Sequence, residues 1–304
     1  MNQQADPAEY VAANIREFAS SSPLNRLSLL DNKVIFDEPL VRYADGDDPI
    51  FRDYKDIIDP THLTPRELMS AAFPGEPTPE HVSVVSWILP VTARTRESNR
   101  RQNSAPSRLW AFTRFYGEQF NDALREYVVS LISEMGYRAA APLLQDCYDG
   151  AKQNEKGRFS NWSERHAAYA AGQGTFSLSD GLITDRGIAH RCGTVVTDLS
   201  LPASPRTATG PYTNCLFYQD GSCGVCIQRC PAGAITREGH DKHKCREYLH
   251  VTLRSKMKKY NIGIAGCGLC QTKVPCEWRN PAGKKARPPK AAAVTPAPPT
   301  ARRP

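Results

Sequence analysis

The spacing of apolar positions predicts alternating helices and strands over the first two thirds of the chain. Asp6-Pro7 followed by AEYVAANIREF reads as a capped helix start, with proline at the first helical position, where its missing N–H is not needed. Residues 37–80 are rich in Pro and Asp and read as loop, broken by a short helix at Pro65–Ala72. The run VSVVSWILPV (82–91) reads as a buried strand ended by Pro90. A polar, Arg-rich stretch (94–108) then leads into a long helix over 109–134, whose apolar residues recur every three or four positions. Gly136 stops it, and 137–141 reads as a short strand. After an irregular stretch come a helix at 163–171, a Gly-rich turn, and strands at Leu182–Thr184 and 193–199. This order predicts an α/β or α+β core of about 200 residues, within ordinary domain size.

Composition excludes some classes. Of 304 residues, 40% are apolar, too many for a disordered chain. The longest apolar run, 82–91, is too short to span a bilayer, so no membrane partner is expected. Asp6, Glu9 and Glu17 rule out a basic-then-apolar secretory signal in the first twenty residues. The expected compartment is the cytoplasm, where a cysteine-rich segment points to metal or catalysis rather than disulfides.

The formal charge of +7 is unevenly spread. Residues 1–80 carry seven basic and fifteen acidic side chains, and 81–280 carry twenty-six and seventeen. Residues 281–304 carry six basic and none acidic, leaving a nearly neutral body that lends little support to nucleic-acid binding. The domain reading that follows has four parts. Residues 1–80 are an acidic N-terminal extension packing on the core, and 81–210 an α/β domain for cofactor or substrate. Residues 211–280 are a cysteine-rich module, and 281–304 a disordered basic tail dominated by Pro and Ala.

Eight of the ten cysteines fall between Cys215 and Cys276. The first group is Cys215-x7-Cys223-x2-Cys226-x3-Cys230-Pro231; the second is Cys245, Cys267-x2-Cys270 and Cys276. A bacterial two-cluster ferredoxin run is C-x2-C-x2-C-x3-C-P, with the fourth thiolate crossing to the other cluster. The last three cysteines and the proline match it, with Asp220 at its first position and Cys215 five residues upstream. Crossed ligation assigns Cys215, Cys223, Cys226 and Cys276 to one [4Fe–4S] cluster, and Cys230, Cys245, Cys267 and Cys270 to the other. Asp220 competes with Cys215 as first ligand. Structural zinc is the plainer alternative, but the usual C-x2-C-x15–20-C-x2-C spacing is absent. Cys147 and Cys192 stand apart and read as small buried hydrophobes.

The stretch SERHAAYAAGQGTFSLSDGLITDRGIAHRCGTVVTDLSLP, followed by CGVCIQRCPAGAI, CREYLHVTL and GCGLC, resembles epoxyqueuosine reductases, cobalamin-dependent iron–sulfur enzymes related to reductive dehalogenases. The resemblance runs from about residue 163 to 280, is weaker over 81–142, and does not extend to the first 80 residues or the tail. It implies a corrinoid-binding-type α/β domain followed by a two-cluster ferredoxin-like module. It also implies cobalamin as a second cofactor, with Gly172, Gly174 and Thr175 near the corrinoid. The plainer reading of Gly172 is a helix C-cap with positive φ. Where the family carries an Asp before Ser-Ala-Pro, residues 138–142 hold no acid, and Asp146, Asp149 and Glu164 lie further on without a spacing that selects one.

Three functions follow from these readings. The first is an oxidoreductase in which an external low-potential donor of ferredoxin or flavodoxin type reduces the clusters, which reduce a bound corrinoid or a substrate. The second is an electron carrier for a partner corrinoid protein, without turnover of its own. The third is a tRNA-associated protein with structural clusters. His166, on the helix before the Gly-rich turn, is the histidine best placed for function; His240, His243 and His250 are expected on the surface or beside a cluster. Trp110, Phe112 and Phe115 at helical spacing read as core, with Arg100, Arg101, Arg108 and Arg114 on a solvated face.

Overall fold

The computed structural model describes residues 6–155, 157–263 and 266–283. The expectation of a disordered tail concerns residues that, from 284 onward, lie outside this range. Helix α1 (Pro7–Ser21) starts where the sequence places it, the Asp6 carboxylate accepting from the Ala8 N–H at 3.0 Å. A two-strand ribbon, β1 (Arg26–Leu27) with β2 (Lys33–Val34), follows. Residues 37–80 are not the loop their Pro and Asp content suggests. They contain strand β3 (Leu40–Asp45) and helix α2 (Ile50–Ile57), besides the expected α3 (Pro65–Ala72). Pro and Asp sit between these elements, as at Asp45–Pro49, where they end one element and start the next.

Strand β4 (Ser83–Pro90) is buried along its whole length. It is central in a four-stranded sheet of order β3-β4-β10-β5, with β5 (Ala139–Ala140) and β10 (His190–Thr197), every pairing antiparallel. The continuous apolar run resolves into two faces, because alternate side chains of a strand point opposite ways. Val85, Trp87 and Leu89 face α1 and the long helix α5 (Arg108–Glu134), against Val11, Ile15, Phe120 and Leu124. Val84 faces α2 and α3, against Phe51, Tyr54, Leu68 and Trp162. Asn121 of α5 ties two strands together. It accepts from the Trp87 indole N–H at 2.8 Å and donates to the Cys192 carbonyl at 2.9 Å.

The first part of the Arg-rich stretch before α5 is helix α4 (Ala93–Arg100), whose buried residues, Thr95 and Asn99, are polar; an apolar period therefore does not mark it. Ribbons β6 (Lys152–Asn154) with β7 (Gly157–Phe159), and β8 (Gly174–Phe176) with β9 (Leu182–Thr184), flank α6 (Glu164–Ala170). The C-terminal part has short elements only: α7 (Leu216–Asp220), α8 (Val225–Arg229), ribbon β11 (Ile235–Thr236) with β12 (Gly239–His240), α9 (Lys242–Glu247), and α10 (Arg254–Lys259). The fold is mixed α/β with an antiparallel sheet. No helix among the described residues is long and apolar enough to cross a membrane.

Candidate metal centres and the adjoining cleft

The eight clustered thiols converge on two cavities. Cys215, just before α7, lines the first with Cys223, Cys226 of α8 and Cys276. Cys230, at the end of α8, lines the second with Cys245 of α9, Cys267 and Cys270. The two cavities are alike in size, about 20 Å³ each. Their other walls are mainly apolar, including Ile183 and Val274 at the first and Ile235 and Leu249 at the second. Asp220 is exposed, and its carboxylate accepts from the Ser222 N–H at 2.9 Å in the turn after α7. It does not line the first cavity, whereas Cys215 does.

Burial and the neighbouring thiols push Cys226 and Cys245 up to about 11, and hold Cys270 and Cys276 well above the usual thiol range. Four thiolates cannot share such a pocket without cations among them, because desolvation and like charge both oppose ionisation. Among the described residues no three His, Cys, Asp or Glu side chains converge as a single metal ion requires. Sets of soft thiolate donors suit a sulfide-bridged iron cage.

Residues outside the cysteine motifs hold the thiol loops in place. Asn99 of α4 donates to the Cys267 carbonyl at 3.2 Å and to Thr272 Oγ1 at 3.1 Å. The Glu277 carboxylate, 1% exposed, takes Arg96 at 3.3 Å, Arg100 at 2.7 Å and the Lys273 N–H at 2.7 Å. Arg229, just before Cys230, donates to the carbonyls of Thr272 at 3.1 Å and Gln102 at 2.9 Å. Sequence reading set Arg100 on a solvated face and passed the others over. Of these, only Glu277 and Arg229 carried a signal, their position next to Cys276 and Cys230.

A cleft between β7, α6 and α9 adjoins the second cavity, and Cys245 and His240 line both. Its cations are Arg158, Arg165, Lys242 and Arg246, and Asp180 is the acid among its lining residues. Asp180 sits at φ +58° and binds His240 Nδ1 at 3.1 Å, with Lys242 at 3.9 Å. His166 lines the cleft too; its Nδ1 is 2.7 Å from Ser163 Oγ, and burial lowers it to about 3, so it is neutral at pH 7. His250 also lines the cleft, and His243 is exposed.

The Gly-rich turn lies elsewhere. Gly172, at φ +71°, ends α6, and a Cβ there would lie 2.7 Å from the Pro205 carbonyl oxygen. A Cβ on Gly174 would lie 2.2 Å from the Ile183 carbonyl oxygen, and the fully buried Thr175 accepts from the Asn214 N–H at 2.8 Å. The close approach that these residues permit is to the chain's own backbone, and none of the three lines the two cavities or the cleft. Cys147 packs beside the α2–α3 core, and Cys192 sits partly buried on β10. Trp110 and Phe112 are core residues, as their spacing suggests.

No family model and no curated protein matches the chain. Among solved structures it is similar to epoxyqueuosine reductase from Bacillus subtilis, at 18% identity and a TM-score of 0.47, over 89% of this chain and 66% of that one. An epoxyqueuosine reductase with an epoxyqueuosine-modified tRNA-Tyr stem loop aligns at 17% identity and a TM-score of 0.47, covering 93% of this chain and 72% of that one. A catabolic reductive dehalogenase aligns at 17% and 0.46, over 69% of this chain and 28% of that one. The chain thus spans just under two thirds of the Bacillus enzyme. These neighbours are the same group of reductases that the cysteine-rich segment resembles.

Proposed function

We propose that the protein is an iron–sulfur oxidoreductase of the epoxyqueuosine-reductase-like group, with two [4Fe–4S] clusters and a ligand site in the cleft beside the second. In this reading residues 211–280 are the two-cluster module, and the preceding domain supplies the other walls of the cleft. One observation carries it: eight thiols line two cavities in sets of four, with Cys226 on α8 and Cys230 just after it going to different sets. One-electron storage is the chemistry that the clusters supply. The chain's part is to present the thiols, keep water from them with apolar walls, and hold the electron acceptor against the Cys245–His240 wall. An external low-potential carrier is the expected electron source.

The resemblance adds cobalamin as acceptor, near Gly172, Gly174 and Thr175. That turn is packed by Pro205, Ile183 and Asn214 and does not fit a macrocycle there, so no step is derived through it. The cleft, rich in cations, suits a large anionic or phosphate-bearing ligand, whether a corrinoid or a nucleotide substrate.

Anaerobic purification with iron, sulfide and cobalt analysis tests the proposal. About eight irons with matching sulfide is the expected result. Zinc in place of iron would overturn it. Stoichiometric cobalt would identify the acceptor as a corrinoid; iron without cobalt, and with no affinity for added cobalamin, would leave a substrate or a partner protein in that role.

A further inference from the structure

Arg229 stands out as a buried charge without a counter-charge. The residue is 9% exposed. Its Nε donates to the carbonyls of Leu269 and Thr272 at 3.3 and 3.1 Å. Its Nη1 donates to the Gln102 carbonyl at 2.9 Å and to Asn103 Oδ1 at 3.3 Å, and its Nη2 is buried without a partner. Every one of these acceptors is neutral. Glu277, the acid that acts on it, is already bound to Arg96 and Arg100. A guanidinium taken out of water is strongly disfavoured unless negative charge lies close by. The two carbonyls that its Nε binds, those of Leu269 and Thr272, flank Cys270, and Cys230 follows it in the chain, so it sits beside the second set.

The two sets differ in this respect. Among the described residues, no Lys, Arg or His lines the first cavity. Asp180 shares the adjoining cleft with Cys245, but it is paired with His240 and Lys242. Asp241 lies on the surface, where it caps α9. The second set therefore has a buried cation bonded to its own loop, whereas no cation is among the described residues that line the first cavity.

We propose that Arg229 is the counter-charge of the second centre and holds its reduction potential above that of the first. This rests on the two-cluster reading. Taking up an electron makes a thiolate-ligated centre more negative, and a fixed buried cation stabilises that state more than the oxidised one. One electron passing from the first centre to the second then moves downhill, toward the cleft, with no bond or proton change.

Redox titrations of the anaerobic holoprotein, followed by electron paramagnetic resonance, test this alongside an iron count. In Arg229→Gln one centre should become about tenfold harder to reduce, ~59 mV for one electron, while the other is unmoved. Arg229→Lys should stay close to wild type. Asn103→Asp places an anion beside the guanidinium without removing it, and should lower the same centre in the same direction. It keeps the test alive if Arg229→Gln fails to assemble. Potentials unchanged in both Arg229→Gln and Asn103→Asp, with iron retained, would overturn the proposal, as would an equal shift of both centres. Wild-type protein without iron and sulfide would overturn the cluster reading, and this proposal with it.

Discussion

Cys226 and Cys230, four residues apart on and just beyond α8, open into different cavities. The helix ends at Cys230, which has extended backbone (φ −83°, ψ 104°), and Pro231 follows. Helical continuation would keep the two side chains on one face, because residues four apart are neighbours there. Ending the helix at Cys230 sends its thiol to the opposite side.

This separation makes the ligand sets independently testable. Cys276→Ala and Cys230→Ala should each lower the iron content from about eight to about four per chain, and each should spare a different centre. Asp220→Ala should leave iron unchanged, because its carboxylate serves the turn to Ser222. Iron and sulfide analysis of the three variants checks all of this. Loss of iron in Asp220→Ala would contradict the placement of Cys215.

Gly268 lies between Cys267 and Cys270 at φ +61°, and a Cβ there would come within 2.0 Å of the Trp110 ring. The indole N–H of Trp110 in turn donates to the Gly266 carbonyl at 3.1 Å. Gly268→Ala should therefore displace the loop and cost about half of the iron. Gly221, at φ +72°, has open space around it, so Gly221→Ala should cost only the left-handed backbone penalty of about 1–2 kcal/mol and keep all the iron. Iron analysis beside thermal denaturation separates the two effects.

Asn121→Ala would strand the Trp87 indole N–H, while the Cys192 carbonyl keeps Arg125 Nη2 at 3.5 Å. The expected loss is about 1–3 kcal/mol for the stranded indole. Urea titration should show a lower midpoint with an unchanged slope, the sign of lost stability without a change in exposed surface.

His62 is 2% exposed, its Nε2 accepts from the Ser163 N–H at 3.2 Å, and burial lowers its pKa to about 4. The unfolded chain binds this proton near pH 6.5, where the folded chain does not. Stability should therefore fall as pH drops from about 6.5 toward 4, by roughly 1.4 kcal/mol per pH unit from this residue. Denaturant titrations across that range should give a shallower pH dependence for His62→Gln than for wild type. A slope unchanged by the substitution would contradict the buried, neutral assignment.

Helices that bury an apolar stripe and strands that bury both faces were legible in the chain. The strand over 82–91 and the long helix over 109–134 are both present, at Ser83–Pro90 and Arg108–Glu134. Two kinds of element were not, those whose buried positions are polar and those set in segments rich in Pro and Asp. Helix α4 hides Thr95 and Asn99, and strand β3 sits in a segment dominated by Pro and Asp. Their burial is decided by partners distant in sequence: Asn99 meets Thr272, and Leu40–Asp45 pairs with Ser83–Ile88. The Gly172–Thr175 turn shows the converse case. Its composition is that of a ligand-binding loop, but the space that its glycines leave is taken by Pro205 and Ile183.

By itself, the sequence determined which thiols can group together, because spacing around Cys226 and Cys230 limits what each can reach along a short chain. Tertiary structure decided what surrounds them. It chose Cys215 over Asp220 at the first cavity, brought the distant Cys276 to that same cavity, and set His240 and Cys245 against the cleft. It also buried Arg229 against the second set with no carboxylate to pair it. Local spacing reports only neighbours along the chain, whereas desolvation and unpaired charge depend on every segment that folds over them.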